Sequence, residues 1–284
     1  MSRDRVQLPD VTPTVDLGSF DRVAFFGGIY SNYLALGEAL KLARSRKVDV
    51  IVALGDFGAF GPHPDRTIEI LREASLPAIQ GNYEQALSTG AEDCLCGYTD
   101  PRDNYYAQLS YDYTRTRTSA EHKAWMGNLP GHIRLTVGGR KLLLCHGSPR
   151  KINEFLWRSM TPDPFIRKLL CDHDVDVIVC THTGLHWKRL IDPGRGIVNA
   201  GALGRPANDG QTHVWFTIVE EQEISPVPGE ILVEFVPVPY DHERLAREMA
   251  EESLPPEFIE TIRTGWWTTC LEILPAKERA LGKH

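Results

Sequence analysis

Apolar positions along this chain alternate between two periods. Val23-Ala24-Phe25-Phe26 is a run of the length of a buried strand, and residues 33–44 place Leu34, Leu36, Leu40 and Leu42 among alanines at helical spacing. Residues 49–54 give a second strand. Residues 64–74 give a second helix with Ile68, Ile70 and Leu71 inward, and residues 76–80 a third strand. Strands separated by helices imply crossover units and a largely parallel core. The rhythm breaks over 90–119, where Cys94, Cys96 and several tyrosines sit among polar residues. This stretch reads as an insertion covering one end of the sheet. A helix at 120–127 follows, then strands at 133–137 and 141–145 joined through Gly138-Gly139, and further strands at 175–180, 196–198 and 213–219. The pattern predicts an α/β protein of two packed mixed sheets with helices outside, a four-layer sandwich. The core spans 21–220. Residues 1–20, interrupted by Pro9, Pro13 and Gly18, read as an arm. Residues 221–284 read as an extension with a strand at 231–236 and helices at 241–252 and 256–264, packed on the core or on another subunit.

Composition narrows the class. The 284 residues are 42% hydrophobic and 24% charged, as in an ordinary globular protein. A net charge of -7 argues against a nucleic-acid backbone as main partner. No apolar run approaches the roughly 20 residues that cross a bilayer. The first sixteen residues lack the apolar core of a signal peptide, so a cytoplasmic location is expected. The six cysteines then read as reduced thiols, and Cys94-x-Cys96, without a second pair, as two buried ones.

The candidate chemistry lies at strand ends: Gly27-Gly28-Ile29-Tyr30-Ser31-Asn32, Gly55-Asp56, Gly81-Asn82-Tyr83-Glu84, Cys145-His146-Gly147 and Thr181-His182-Thr183-Gly184. In this order, over roughly residues 22–216, they resemble the motifs of the calcineurin-like metallophosphoesterases: D-x-H-G-N, G-D-x-x-x-x-G, G-N-H-[DE], H-G and G-H-x-H. The resemblance implies a two-metal phosphoesterase whose ligand sets are unequally preserved. The second metal's ligands would be Asp56, Asn82, His146 and His182. The private ligands of the first are replaced by Gly28, Tyr30 and Gly184, and the G-N-H histidine by Tyr83. Glycine has no donor, and a phenol with a pKa of roughly 10 is a poor ligand near neutrality. His186, two residues past Gly184, is a candidate ligand for a second ion; packing against Trp187 is its plainer role.

Each retained ligand also has a plain alternative: a turn cap for Asp56, a left-handed turn residue for Asn82, core histidines for His146 and His182. Together they describe a nitrogen- and oxygen-rich site for one divalent transition metal: Zn, Mn or Fe. Tyr83 and Glu84 are candidates for proton transfer. Arg205, in a run resembling the family's N-P-G-S-x-G-x-P loop, is a candidate phosphate contact, with a surface arginine as the alternative. Asn32 is expected to support its loop, and Cys145 to face away from the metal. Arg150 and residues 153–157 form either a rim of the cleft or a helix start with Phe155 and Trp157 inward. The resemblance thus implies a metal-dependent hydrolase of small phosphomonoesters or phosphodiesters with a reduced, mononuclear site. A binding module without turnover and a different metal chemistry on the same scaffold are the alternatives. The expected partner is a small phosphorylated molecule, with no membrane and with homo-oligomerisation open.

Overall fold

The computed structural model describes residues 14–222 and 229–282. Its strands are β1 (Thr14–Phe20), β2 (Arg22–Phe26), β3 (Val50–Ala53), β4 (His132–Val137), β5 (Arg140–Leu144), β6 (Val177–Cys180), β7 (His186–Asp192), β8 (Arg195–Ala200), β9 (Val214–Glu221) and β10 (Ile231–Val238). The helices are α1 (Tyr33–Ser45), α2 (Pro64–Glu73), α3 (Asn82–Thr89), α4 (Pro101–Arg117), α5 (Ala120–Gly127), α6 (Asp163–Asp172), α7 (His242–Glu251), α8 (Pro256–Thr264) and α9 (Ala276–Arg279).

The strands form a six-stranded sheet ordered β1-β4-β5-β6-β8-β7 and a four-stranded sheet ordered β10-β9-β2-β3. Side-chain alternation along each strand builds the layers. Val23 and Phe25 of β2 face the other sheet, meeting Leu135, Leu142 and Val179. Ala24 and Phe26 face outward to α1, α7 and α8. Leu143, Ile178 and Ile197 on the far face of the larger sheet pack under α6. Central strands covered on both sides are apolar throughout, which is why Val-Ile-Val-Ala and Val-Ile-Val-Cys read so plainly. The result is the expected sandwich: helix, sheet, sheet, helix.

Four local expectations change. Residues 14–20 are not an arm: β1 pairs in parallel with β4, with a register shift between Asp16 and Ser19 where Gly18 adopts φ +85°. The glycine that read as an interruption is a bulge inside a strand. Residues 1–13 of the expected arm lie outside the described residues. Residues 76–80 make only a single bridge, Ala53 to Ala78, rather than a strand. The stretch 90–119 contains the 17-residue helix α4. Its buried positions Asp103, Ala107, Ser110, Tyr111 and Thr114 follow helical spacing, but polar residues occupy that face, so no hydrophobic period shows. Helices α3 and α6 and strand β7 are additional elements that the apolar pattern did not reveal. The C-terminal extension packs on its own chain: β10 pairs antiparallel with β9, and α7 and α8 join the core cluster. Among the described residues no helix is long and apolar enough to cross a membrane.

Leu17 and Phe20 of β1 are partly buried against the inter-sheet core. Deleting residues 1–20 is therefore expected to lower unfolding stability by roughly 2–4 kcal/mol. Urea denaturation of the truncated chain checks this, and an unchanged midpoint would restore the reading of an arm.

Candidate metal centre

The loop after β3 is held in an unusual backbone. Asp56, Ala59 and Phe60 all have φ between +53° and +76°, costly conformations for residues with a Cβ. Neighbouring elements compensate with hydrogen bonds. The Glu84 carboxylate accepts from Asp56 N (2.7 Å), Gly81 N (2.8 Å) and Phe57 N (2.9 Å). From the polar face of α4, Thr114 Oγ1 accepts from Ala59 N at 3.1 Å and Ser110 Oγ from Phe60 N at 2.8 Å. Tyr83 N donates to Asp56 Oδ1 at 3.2 Å, which leaves Oδ2 facing His146 Nε2, also at 3.2 Å.

His146, two residues past the end of β5, contacts Leu54 O through Nδ1 at 2.7 Å. A carbonyl only accepts, so Nδ1 carries a proton and Nε2 of the neutral ring presents a lone pair. That nitrogen lies 3.2 Å from Nδ1 of His182, which follows β6. Burial, reinforced by the His146 charge, holds His182 down at about 3, so its ring is neutral. Asn82, the first residue of α3, donates its Nδ2 to Cys94 O (2.8 Å) and Cys96 Sγ (3.3 Å). Its Oδ1 is buried and has no protein partner.

Asp56, His146 and His182 therefore bring their donor atoms within 4.8 Å of one another, with the Asp56 carboxylate facing the lone pair of His146 Nε2. Without a cation, a second proton on His146 is one arrangement that reconciles the Asp56 carboxylate with that ring. Burial opposes that charge, but Asp56 outweighs burial and raises the His146 pKa. Burial likewise works against the Asp56 charge, and His146 overcomes it, lowering the Asp56 pKa. A divalent cation would satisfy all of them. Donors about 2.0–2.1 Å from a tetrahedral centre lie about 3.3 Å apart, close to the observed spacing. The orphaned Asn82 oxygen is the available fourth donor. The donor set fits a metal.

The neighbouring side is filled with protein. A Cβ on Gly28 would lie 2.5 Å from Tyr30 Cζ, so the tyrosine ring takes the space of a carboxylate there. Gly184 has φ +74°, and a Cβ on it would lie 3.0 Å from the Trp267 ring. Burial, then the Asp56 charge, raise the Tyr30 pKa, so its hydroxyl stays protonated. His186 packs in a tilted arrangement against Trp215 and Phe235, with centroids 4.5 and 4.7 Å away. Among the described residues His186 is not part of the cluster formed by Asp56, His146 and His182.

Both proton-transfer candidates are engaged in hydrogen bonds around the loop. Glu84 is committed to three backbone N–H groups and acts as the clamp of the Asp56 loop. The Tyr83 hydroxyl donates to Ser110 Oγ at 3.0 Å, and burial raises its pKa well above the phenol value. Arg205 is not on the surface; it is buried, and its side chain contacts Trp267, Phe60 and Thr269. Asn32 caps α1 and holds Gly204 O, the supporting role expected of it. Residues 153–157 form no helix. Phe155 stacks on Trp157 and lies 4.2 Å from the His182 ring, while Arg150 and Asn153 line the cleft. Cys145 packs with Leu156 and Ile166, away from the site. Cys94 and Cys96 form a disulfide, contrary to the expectation of free thiols, and their loop orients Asn82. Trp267, Thr269 and Cys270 also line the site region. They lie outside the strand-end motifs, and nothing in their local sequence marks them. A cleft of about 830 Å³ reaches His146. A second cavity, about 60 Å³, is lined by Asp56, His182, Tyr30, Tyr83, Tyr98 and Arg205.

Two packed sheets carrying Asp and His donors at their strand ends define a metallophosphoesterase-type sandwich. Residues 22–222 match the calcineurin-like phosphoesterase superfamily domain, and the chain belongs to that metal-dependent family. It is 23% identical over 242 residues to an uncharacterized protein of Methanocaldococcus jannaschii, covering 82% of this chain and 93% of that one. Its fold is similar to a hypothetical protein from Pyrococcus horikoshii OT3 (TM-score 0.70, 18% identity, 87% of this chain and 99% of that one). It is also similar to a metallophosphoesterase from Sphaerobacter thermophilus (TM-score 0.63, 22% identity, again 87% and 99%).

Replacing Glu84 by Gln removes one acceptor and turns an amide N–H toward backbone donors. It is expected to cost about 1–3 kcal/mol of stability. By releasing Asp56 it should also weaken metal binding about 10- to 100-fold. Denaturant titration and metal titration of the same preparation read both effects.

Proposed function

We propose that this chain is a hydrolase of small phosphorylated molecules that uses a single divalent transition ion (Zn, Mn or Fe) held by Asp56, Asn82, His146 and His182. The observation that carries this reading is the convergence of three buried lone-pair donors with an orphaned amide oxygen beside a cleft of about 830 Å³. Such an ion supplies Lewis acidity toward a phosphoryl oxygen and toward water. The chain's own groups do the rest. Leu54 O fixes the His146 tautomer, Glu84 fixes Asp56, and the Cys94–Cys96 loop fixes the Asn82 amide. The cleft has room for a nucleotide-sized leaving group, with Arg150, Lys151 and Asn153 on its wall.

A second reading, a phosphate-binding module without turnover, is favoured by one observation: Tyr30 and Trp267 fill the side where a first metal would complete a two-ion clamp. Experiment separates the two. Protein purified without chelators is expected to hold about one metal ion per chain by elemental analysis, and His146→Ala or His182→Ala should empty the site. Aryl phosphate hydrolysis should be slow and metal-dependent, since one ion cannot stabilise both attacking and leaving oxygens. Absence of hydrolysis with Mn, Fe, Zn and Ni, while phosphate still binds, would leave the binding module. Two tightly held ions would refute the mononuclear assignment.

Restoring the missing ligands tests the same geometry. Gly28→Asp alone is expected to destabilise the fold, because its Cβ meets Tyr30 at 2.5 Å. Paired with Tyr30→His it should be tolerated. Adding Gly184→His places a side chain at φ +74° against Trp267 and should cost stability again. Melting temperatures of the single, double and triple variants give the order.

A further inference from the structure

Arg205 is 7% exposed, yet its guanidinium has no carboxylate partner among the described residues. One nitrogen donates to Thr269 O at 2.8 Å, with Thr269 Oγ1 at 3.5 Å, and Nε is buried with no acceptor. The faces of Trp267 and Phe60 lie 4.0 and 5.0 Å from its central carbon. These π faces offset part of the desolvation of the charge but leave donors unused. Asp56 shares the cavity, but its oxygens are engaged by Tyr83 N and by His146. A buried cation with free N–H groups is a costly arrangement unless an anion completes it.

The position is informative. Arg205 borders the cavity of about 60 Å³ together with the metal-ligand candidates Asp56 and His182 and with Tyr30, which fills the first-metal side. Gly204 sets this placement: its N–H donates to Gly28 O at 2.9 Å, and its missing Cβ lets the loop lie against Ile29 O. Trp267 and Thr269 belong to the C-terminal extension, beyond the matched residues 22–222, so the arginine's seat is built from outside the family domain.

We propose that Arg205 is the phosphoryl-binding cation of this site, on the side of the missing first metal ion, and that the group it receives is the terminal phosphoryl of a phosphomonoester. The proposal rests on the reading of a one-metal phosphoester site. At about 60 Å³ the cavity is far smaller than the cleft of about 830 Å³, so it suits a terminal phosphoryl better than a phosphoryl that carries a second ester substituent. The larger cleft, which shares Cys96, Tyr98 and Ala107 with the cavity, takes the leaving group. Arginine suits the task because its planar fork can give two parallel N–H donors to phosphate oxygens.

The test is calorimetric titration of Mn-loaded protein with inorganic phosphate, methyl phosphate and dimethyl phosphate, with metal content measured on each sample. Arg205→Gln is expected to weaken phosphate binding at least about 10-fold while metal content stays at the wild-type level. Arg205→Lys, which keeps the charge and loses the fork, should fall between. Methyl phosphate should bind like phosphate, and dimethyl phosphate at least 10-fold more weakly. Phosphate affinity in Arg205→Gln within twofold of wild type overturns the role of Arg205. Equal binding of dimethyl phosphate overturns the monoester assignment. Loss of metal from the wild type with Arg205-dependent phosphate binding intact would sink the one-metal reading and leave this assignment standing. If Arg205→Gln does not fold, the wild type decides: the Arg205 Nε–H resonance, assigned by its loss in Arg205→Lys, should shift on phosphate addition, and a stationary resonance overturns the proposal.

Discussion

The hydrogen bond from His146 Nδ1 to Leu54 O decides the chemistry of the centre. It ties the end of β5 in one sheet to the chain leaving β3 in the other, so a contact between the two sheets also sets a tautomer. With the proton fixed on Nδ1, the opposite nitrogen can only present a lone pair to Asp56 and His182, unless a second proton or a cation arrives. The buried trio is then short of positive charge by construction. A shift of one sheet against the other would disturb that balance before it disturbed any ligand directly.

Around this contact the support is polar and layered. Glu84 and the α4 hydroxyls of Ser110 and Thr114 spend their hydrogen-bonding capacity on the backbone of residues 56–60. Those bonds offset the cost of three left-handed residues without glycine. A helix face made of Ser, Thr and Asp would be a poor way to build a core. It is a good way to hold a strained loop.

The same feature explains where the sequence was legible. Strands buried on both faces and helices with an apolar stripe stand out, so the two-sheet sandwich could be read from β2, β3, β6 and α1. Helix α4 could not, because its inward face is polar for the sake of the loop it supports. Strand β1 was masked by the bulge at Gly18. At the site, Asp56, His146 and His182 could be placed because strand ends fix donors from distant parts of the chain. Asn82 instead opens α3 after a single bridge, and the Cys94–Cys96 loop holds its amide. The backbone contacts of Glu84 were not legible, because a motif gives a residue type and not the direction of its carboxylate. Trp267 and Thr269 left no sequence trace, since their partner Arg205 is about 60 residues away and is reached only through tertiary packing.

The parallel pairing of β1 with β4 has a consequence for synthesis. Thr14 is in register with His132, a separation of 132 − 14 = 118 residues. At about 5–20 residues per second, β1 leaves the ribosome roughly 6–24 s before its partner exists. Throughout that interval it is a strand without a sheet. Its largely exposed residues and its bulge make it a poor template for pairing with another chain during the wait. The N-terminal strand is thus made early and docks late, and closing the larger sheet is a non-local event of the slow kind.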